Sequence, residues 1–375
     1  MIGKVKDILR RNYVNMKGWS TKRKILLIES DDWGAIKMPS AEVYNKLKQA
    51  GVAVDSSYFS RYDCLENDKD LNDLFEVLSS FKDINGNHAC ITANTIVANP
   101  DFEKIKANGF TTYEYELFTE TYKRYGQPDT FKIWQEGIKS HLLYPQFHGR
   151  EHINPAEWMR VLRHGDKSEI MAFDNEVLLG LDNANGSQRF LNYTGAFNFE
   201  SREEEKSFEG IINDGISHFN NIFGFVSKSF VAPCGIKNDN LDKVLHNNGV
   251  EYFQVGRQLE PDGKGGVVAR NRFWGHKNEL GQIYWRRNGT FEPSRDWHYD
   301  WESAILKDAE YAFKWGKPLV LNSHRVNYSG GVDPGNRENT LRLLSSFIKK
   351  LQSKYPDLEF MSSDQLGDYM KSTMK

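Results

Sequence analysis

Apolar and polar positions follow two rhythms along this chain of 375 residues. Short apolar runs predict strands buried on both faces: KILLIES over 24–30, then HACITANTIV, SKSFVAPCG, EYFQVG, KPLVLNSH and LEFMSS. Between them lie segments with apolar residues three or four apart, the spacing of amphipathic helices. The clearest are AEVYNKLKQA, LNDLFEVLSSF, TFKIWQEGIKSHL, EIMAFDNEVLLGL, EEEKSFEGIINDGISHFNNIF, NLDKVLHNNG, WESAILKDAEYAFKWG and RENTLRLLSSFIKKLQSKY. Ser40 reads as an N-cap and Gly51 as a helix stop. The span from Gly263 to Pro293 alternates like hairpins, with GKGG as turn chemistry. Strands alternating with helices, with no repeat and no linker, predict an α/β fold. We read it as a single (β/α) barrel over 25–375, closed or incomplete.

The first 24 residues stand apart. They are basic, with Ile2, Val5, Ile8 and Leu9 at helical spacing, and lack the apolar core of a secretory signal. The plain reading is a terminal helix covering one end of the barrel with its apolar face inward. The other is a basic amphipathic helix in peripheral contact with an anionic membrane. Hydrophobic residues at 39% and charged residues at 27% are ordinary for a globular protein, and a formal charge of −2 argues against a nucleic-acid partner. No apolar run approaches the roughly 20 residues of a membrane span. Cys64, Cys90 and Cys234 are too sparse for a disulfide framework or a thiolate metal site, so a cytoplasmic location is expected. The sequence leaves the oligomeric state open.

In such barrels chemistry sits at the carboxyl ends of strands. Asp31 and Asp32 end the first. Adjacent side chains on a strand point opposite ways, but a strand end can splay so that both reach the barrel mouth; the plain alternative is turn chemistry in SDDWG. His148 and His152 form the one His-x-x-x-His pair among ten histidines. That spacing places two imidazoles on one side of a helical turn, near enough to share an ion, and Asn154-Pro155 opens a new helix. His324 ends LVLNSH, where a hydrogen-bonded strand terminus is the plain reading. Cys234, in APCG, reads as a small buried residue. Trp274, Tyr284, Trp285, Trp297, Tyr299 and Trp301 crowd the later loops, where rings stack on sugars or fill core.

The order of SDDWG, HGREHINPAEW, FVAPCG and VLNSH resembles the polysaccharide deacetylase family. Its motifs run from an aspartate pair through His-x-x-x-His and an arginine-proline turn to a late histidine. The resemblance covers residues 25 to about 370 and implies an irregular seven-stranded (β/α) barrel. It implies that Asp32, His148 and His152 hold a divalent metal ion, zinc foremost, with cobalt, nickel, manganese and iron as alternatives. Asp31 then matches the general base, His324 the general acid, and the backbone N–H of Cys234 the donor to the oxyanion. The implied substrate is an N-acetylated carbohydrate, with Trp33, Arg295 and Trp297 as candidate substrate contacts.

The sequence departs from the family pattern at several points. Glu29 and Ser30 replace a threonine and a phenylalanine, Trp33 precedes Gly34, and Gly149 follows the first motif histidine. Val231 stands where the family has the arginine that pairs with the base, and Cys234 where it has tyrosine; Arg295 is the candidate replacement. The long interval from Asp32 to His148 implies an insertion of roughly 50 residues within about 100–147. Two other readings keep the barrel. One is glycoside or ester cleavage, with Glu29 or Glu151 as one of two flanking carboxylates. The other is a sugar-binding protein without catalysis.

Overall fold

The apolar runs become the strands of one sheet in the computed structural model, which describes residues 2–180, 192–264 and 266–374. The strands are β1 (Lys24–Trp33), β2 (Ile91–Ile96), β3 (Ala98–Pro100), β4 (Tyr115–Leu117), β5 (Leu143–Gly149), β6 (Ser229–Phe230) and β7 (Tyr252–Phe253). There follow β8 (Arg257–Pro261), β9 (Val267–Asn271), β10 (His276–Lys277), β11 (Ile283–Tyr284), β12 (Gly289–Thr290), β13 (Leu319–His324) and β14 (Leu358–Phe360). Ten form the main sheet in the order β10-β11-β7-β6-β5-β2-β1-β13-β12, with β14 also on β1. Every pairing is parallel except β10 with β11.

This sheet cannot lie flat. β11 and β12 stand at or near opposite ends of the order, yet only Trp285–Asn288 separates them, a link spanning about 17 Å at full stretch. Trp285 Nε1 also donates to Glu29 Oε1 of β1 at 2.8 Å. Five strand spacings separate β11 from β1, or about 24 Å in a flat sheet at ~4.8 Å each. The sheet therefore curls strongly until its ends meet. The result is a distorted, mostly parallel α/β barrel.

Outward-facing Leu26 and Ile28 of β1, Ile91 and Ala93 of β2, and Leu319 and Leu321 of β13 are buried in the largest core cluster. Helices Asp68–Ser79, Thr130–Lys139, Trp301–Lys314 and Pro334–Lys354 cover them with Leu71, Leu74, Trp134, Ile305, Leu344 and Ile348. Sequence-level caps are in place: Ser40 accepts from Val43 N–H, and Asn67 forms a capping box with Asp70. Residues 98–139 hold the β3–β4 hairpin and three helices. The helix expected in EIMAFDNEVLLGL ends early, at Phe173, and Leu181 lies outside the described residues, as does Gly265 of the GKGG turn.

The helix Ile2–Asn15 runs beside Trp301–Lys314, but with the reverse orientation to the one expected. Arg11 and Asn15 are buried, while Val5, Ile8 and Leu9 face outward. Asn15 is drawn in by a hydrogen bond from Asn288, and Arg11 by Asp308. Among the described residues no helix is long and apolar enough to cross a membrane.

Candidate active site

The end of β1 splays by a bulge. Its pairing with β2 shifts register between Ser30 and Trp33, and Asp32 takes a positive φ of 76°. Asp31 and Asp32 consequently both line one cavity of about 810 Å³ at the barrel mouth. Gly34 follows at φ 78°, where a Cβ would stand 2.4 Å from the Ile96 carbonyl oxygen, so the close approach of β1 to β2 requires glycine.

His148 lies near the end of β5, 1% exposed. Its Nδ1 stands 2.7 Å from the Val231 carbonyl, which fixes Nδ1 as the donor and leaves Nε2 with a free lone pair. The helical turn expected for His148 and His152 does not form. Gly149 ends the strand with a second register shift, the chain turns, and the helix begins only at Pro155. The rings still meet, with centroids 5.4 Å apart. His152 Nε2 stands 3.0 Å from Asp32 Oδ1, and His148 Nε2 3.4 Å from the same oxygen.

Asp32 Oδ1 and His148 Nε2 are buried and have no hydrogen-bond partner. Orphaned buried polar atoms are rare and costly. The three ligand atoms lie within 4.8 Å of one another, and donors on a tetrahedral ion with bonds of about 2.1 Å sit about 3.4 Å apart. Asp32, His148 and His152 can therefore hold a metal ion. Burial pushes the Asp32 carboxyl up, but His152 and His148 outweigh it and hold it well below the usual carboxylate range.

Asp31 has the opposite character: both of its carboxylate oxygens accept hydrogen bonds. Arg287 grips it as a fork, Nη1 to Oδ2 at 2.7 Å and Nη2 to Oδ1 at 2.7 Å, and Asn94 donates to Oδ1 at 2.7 Å. Burial raises its pKa, and Arg287 foremost brings it down to about 2. The arginine absent at Val231 is thus supplied by Arg287, not by Arg295. Arg295 sits in a 3₁₀ turn, exposed, over the Trp301 ring. Across the cavity His324 Nε2 stands 3.9 Å from Asp31 Oδ2, and its Nδ1 meets Glu292 Oε1 at 2.5 Å. Burial lowers the imidazole pKa, and Glu292 overcomes this and lifts it to about 10. Acid and base are driven apart by their partners. Cys234 lies on the cavity wall in the 3₁₀ turn Pro233–Gly235, at φ 57° and ψ 10°, its thiol exposed beside Thr194 rather than buried.

Other expected contacts lie elsewhere. The bulge at Asp32 turns Trp33 away from the cavity, fully buried, its Nε1 on Ser30 Oγ and its ring against Trp134 and Tyr328. Neither Trp297 nor any of the other five late-loop aromatics lines the cavity; Trp274, Tyr284, Trp285 and Trp301 are core. Tyr58 and Phe59 line it instead, with Phe59 edge-on to His324 at 5.1 Å. Glu29 is fully buried against Trp285, Arg287 and Ser363, and Glu151 is forked by Arg150, so neither can flank a glycosidic bond. Arg287, Glu292, Asn94, Tyr58 and Phe59 carried no motif. The arginine pair in YWRRNG after a strand pattern was the one available signal.

No protein-family model matches the chain, and no curated protein matches it. Solved structures do. A "probable polysaccharide deacetylase" from Pseudomonas aeruginosa PAO1 aligns at 8% identity and TM-score 0.46, covering 94% of this chain and 92% of that one. Puue allantoinase aligns at 11% identity and TM-score 0.45, covering 95% and 93%. The α-amylase AmyC from Thermotoga maritima aligns at 9% identity and TM-score 0.43, covering 94% and 75%. At low identity, then, the chain has structural matches among both deacetylases and glycoside hydrolases.

Proposed function

We propose that this chain is a metal-dependent hydrolase that removes N-acetyl groups from a sugar or oligosaccharide. The observation that carries the reading is the pairing of an unsatisfied Asp-His-His set with a separately engaged aspartate and histidine across one cavity. Asp32, His148 and His152 would hold the ion, and their nitrogen and oxygen donors suit zinc. When bound, the ion supplies Lewis acidity, polarising a carbonyl and acidifying a water.

The chain's own groups do the rest. Asp31, ionised at neutral pH, accepts the proton of the attacking water; a carboxylate this acidic needs a strongly acidified water as its partner. Arg287 and Asn94 hold that carboxylate in one orientation. The Cys234 backbone N–H donates to the oxygen that gains negative charge. His324, protonated at neutral pH by virtue of Glu292, gives its proton to the departing nitrogen. Tyr58 and Phe59 offer rings to a sugar face beside the acid.

Glycoside cleavage fits less well. Among the described residues, the carboxylates lining the cavity are Asp31, Asp32 and Asp63, and Asp63 is bound by Arg325. The test is product analysis on N-acetylated oligosaccharides with zinc-loaded protein. Free acetate is expected, lost in Asp31→Asn. New reducing ends without acetate would sink the reading.

A further inference from the structure

The helix Ile2–Asn15 is amphipathic inside out. At 3.6 residues per turn, Asp7, Arg11 and Asn15 share one side, Val5, Leu9 and Tyr13 share the opposite one, and Ile8 lies at the border beside Asn15. The polar side is the docked side. Arg11 is 4% exposed and Asn15 1%. Arg11 Nε meets Asp308 Oδ1 at 2.9 Å, Asn288 donates to Asn15 Oδ1 at 2.8 Å, and Trp274 Nε1 donates to the Val14 carbonyl at 3.0 Å. The apolar side faces out, with Val5 51%, Ile8 47%, Leu9 63%, Tyr13 44% and the following Met16 46% exposed. The indole of Trp315, itself partly exposed, donates to Asn12 and extends the stripe.

A contiguous exposed apolar stripe on a globular protein calls for something to cover it. Its surroundings say what. Lys6, Arg10 and Lys17 are exposed along one flank. The first 24 residues carry eight basic side chains and one acidic, inside a chain of formal charge −2. A second copy of the helix would bring these like charges together; an anionic bilayer would neutralise them. We infer that this helix is a membrane-surface anchor, which lays its apolar stripe into the interface of an anionic bilayer and sets its lysines among the headgroups. A tryptophan and a tyrosine at the stripe fit the interfacial zone. None of these residues lines the cavity, so anchoring leaves the barrel mouth open.

The anchor rests on neither metal nor catalysis, so its failure and that of the hydrolase reading are separable. The experiment is flotation of the full chain with phosphatidylcholine vesicles, plain or with about a quarter phosphatidylglycerol. Binding is expected on the anionic vesicles, weakened about tenfold or more on plain ones and in ~0.5 M salt. Leu9→Asp should cut the bound fraction about tenfold or more with an unchanged circular-dichroism spectrum and thermal midpoint, since Leu9 makes no core contact. The double variant Lys6→Gln, Lys17→Gln should lose about tenfold on anionic vesicles alone. The anchor is overturned if the chain ignores both vesicles or if Leu9→Asp floats like the parent. Sedimentation showing a Leu9-dependent dimer without vesicle binding overturns it too.

Discussion

Two buried charge clusters border the same cavity, and they are built on opposite plans. In one, Arg325 is fully buried and donates to Asp63 at 3.1 Å and to Glu66 at 2.9 Å. Glu66 also accepts from Tyr122 at 2.6 Å and from Gly34 N–H at 3.1 Å. In the other, Asp32 and His148 are almost as deeply buried, yet Oδ1 and Nε2 face each other with no donor between them. Burying charge is tolerable only when it is paired and hydrogen-bonded. The saturated cluster has nothing left to offer a ligand and holds the loop after β1. The unsaturated one still has donor atoms that could hold an ion.

Variants can push each cluster toward the other's behaviour. The largest effect is expected for Arg325→Met, which strands Asp63 and Glu66. A loss of about 3–5 kcal/mol in urea unfolding is expected with or without zinc, and a loss under 1 kcal/mol would show that the two clusters do not differ. His148→Ala should cost less: metal-free stability should fall by about 1–3 kcal/mol, because the orphaned Nε2 goes but the Nδ1 hydrogen bond to the Val231 carbonyl goes with it. Its zinc affinity should fall by more than the 10- to 100-fold typical of lost outer partners, read by titration against a chelator; full retention of zinc would remove Asp32, His148 and His152 from the metal site. Glu292→Gln comes next. The raised imidazole pKa means that the His324–Glu292 pair stabilises fully below about pH 6.5 and ceases to do so as pH rises through about 10. Without Glu292 the alkaline limb of kcat/KM should shift from near pH 10 toward neutrality, with about tenfold less activity at pH 8. Least of all, Arg295→Ala should change kcat/KM by less than about twofold, since Arg295 sits outside the cavity.

What the sequence disclosed about this site follows how far each interaction reaches along the chain. The alternation of strands and helices was legible because each element carries its own period and caps. Asp31, Asp32, His148 and His324 were legible because each closes an apolar run, and His152 because it stands four residues after His148. The short strands β10, β11 and β12 were not, since two residues carry no period. The partners of the acids were also hidden: Arg287 reaches Asp31 across 256 positions, through barrel closure that no local pattern encodes. Arg295, the expected replacement for the family arginine, lies eight positions beyond Arg287, the one that points inward. Trp33 was misplaced for a local reason. One residue of bulge at Asp32 reverses which face the next side chain takes.

The four residues from Trp285 to Asn288 carry one more consequence. Trp285 and Arg287 anchor on the buried carboxylates of β1, and Asn288 grips the N-terminal helix and β13. Barrel closure and the ionisation of Asp31 thus share one short splice. A glycine inserted there would slacken the hoop and release the aspartate's proton affinity together, so a titration of Asp31 would double as a gauge of whether the ring is shut.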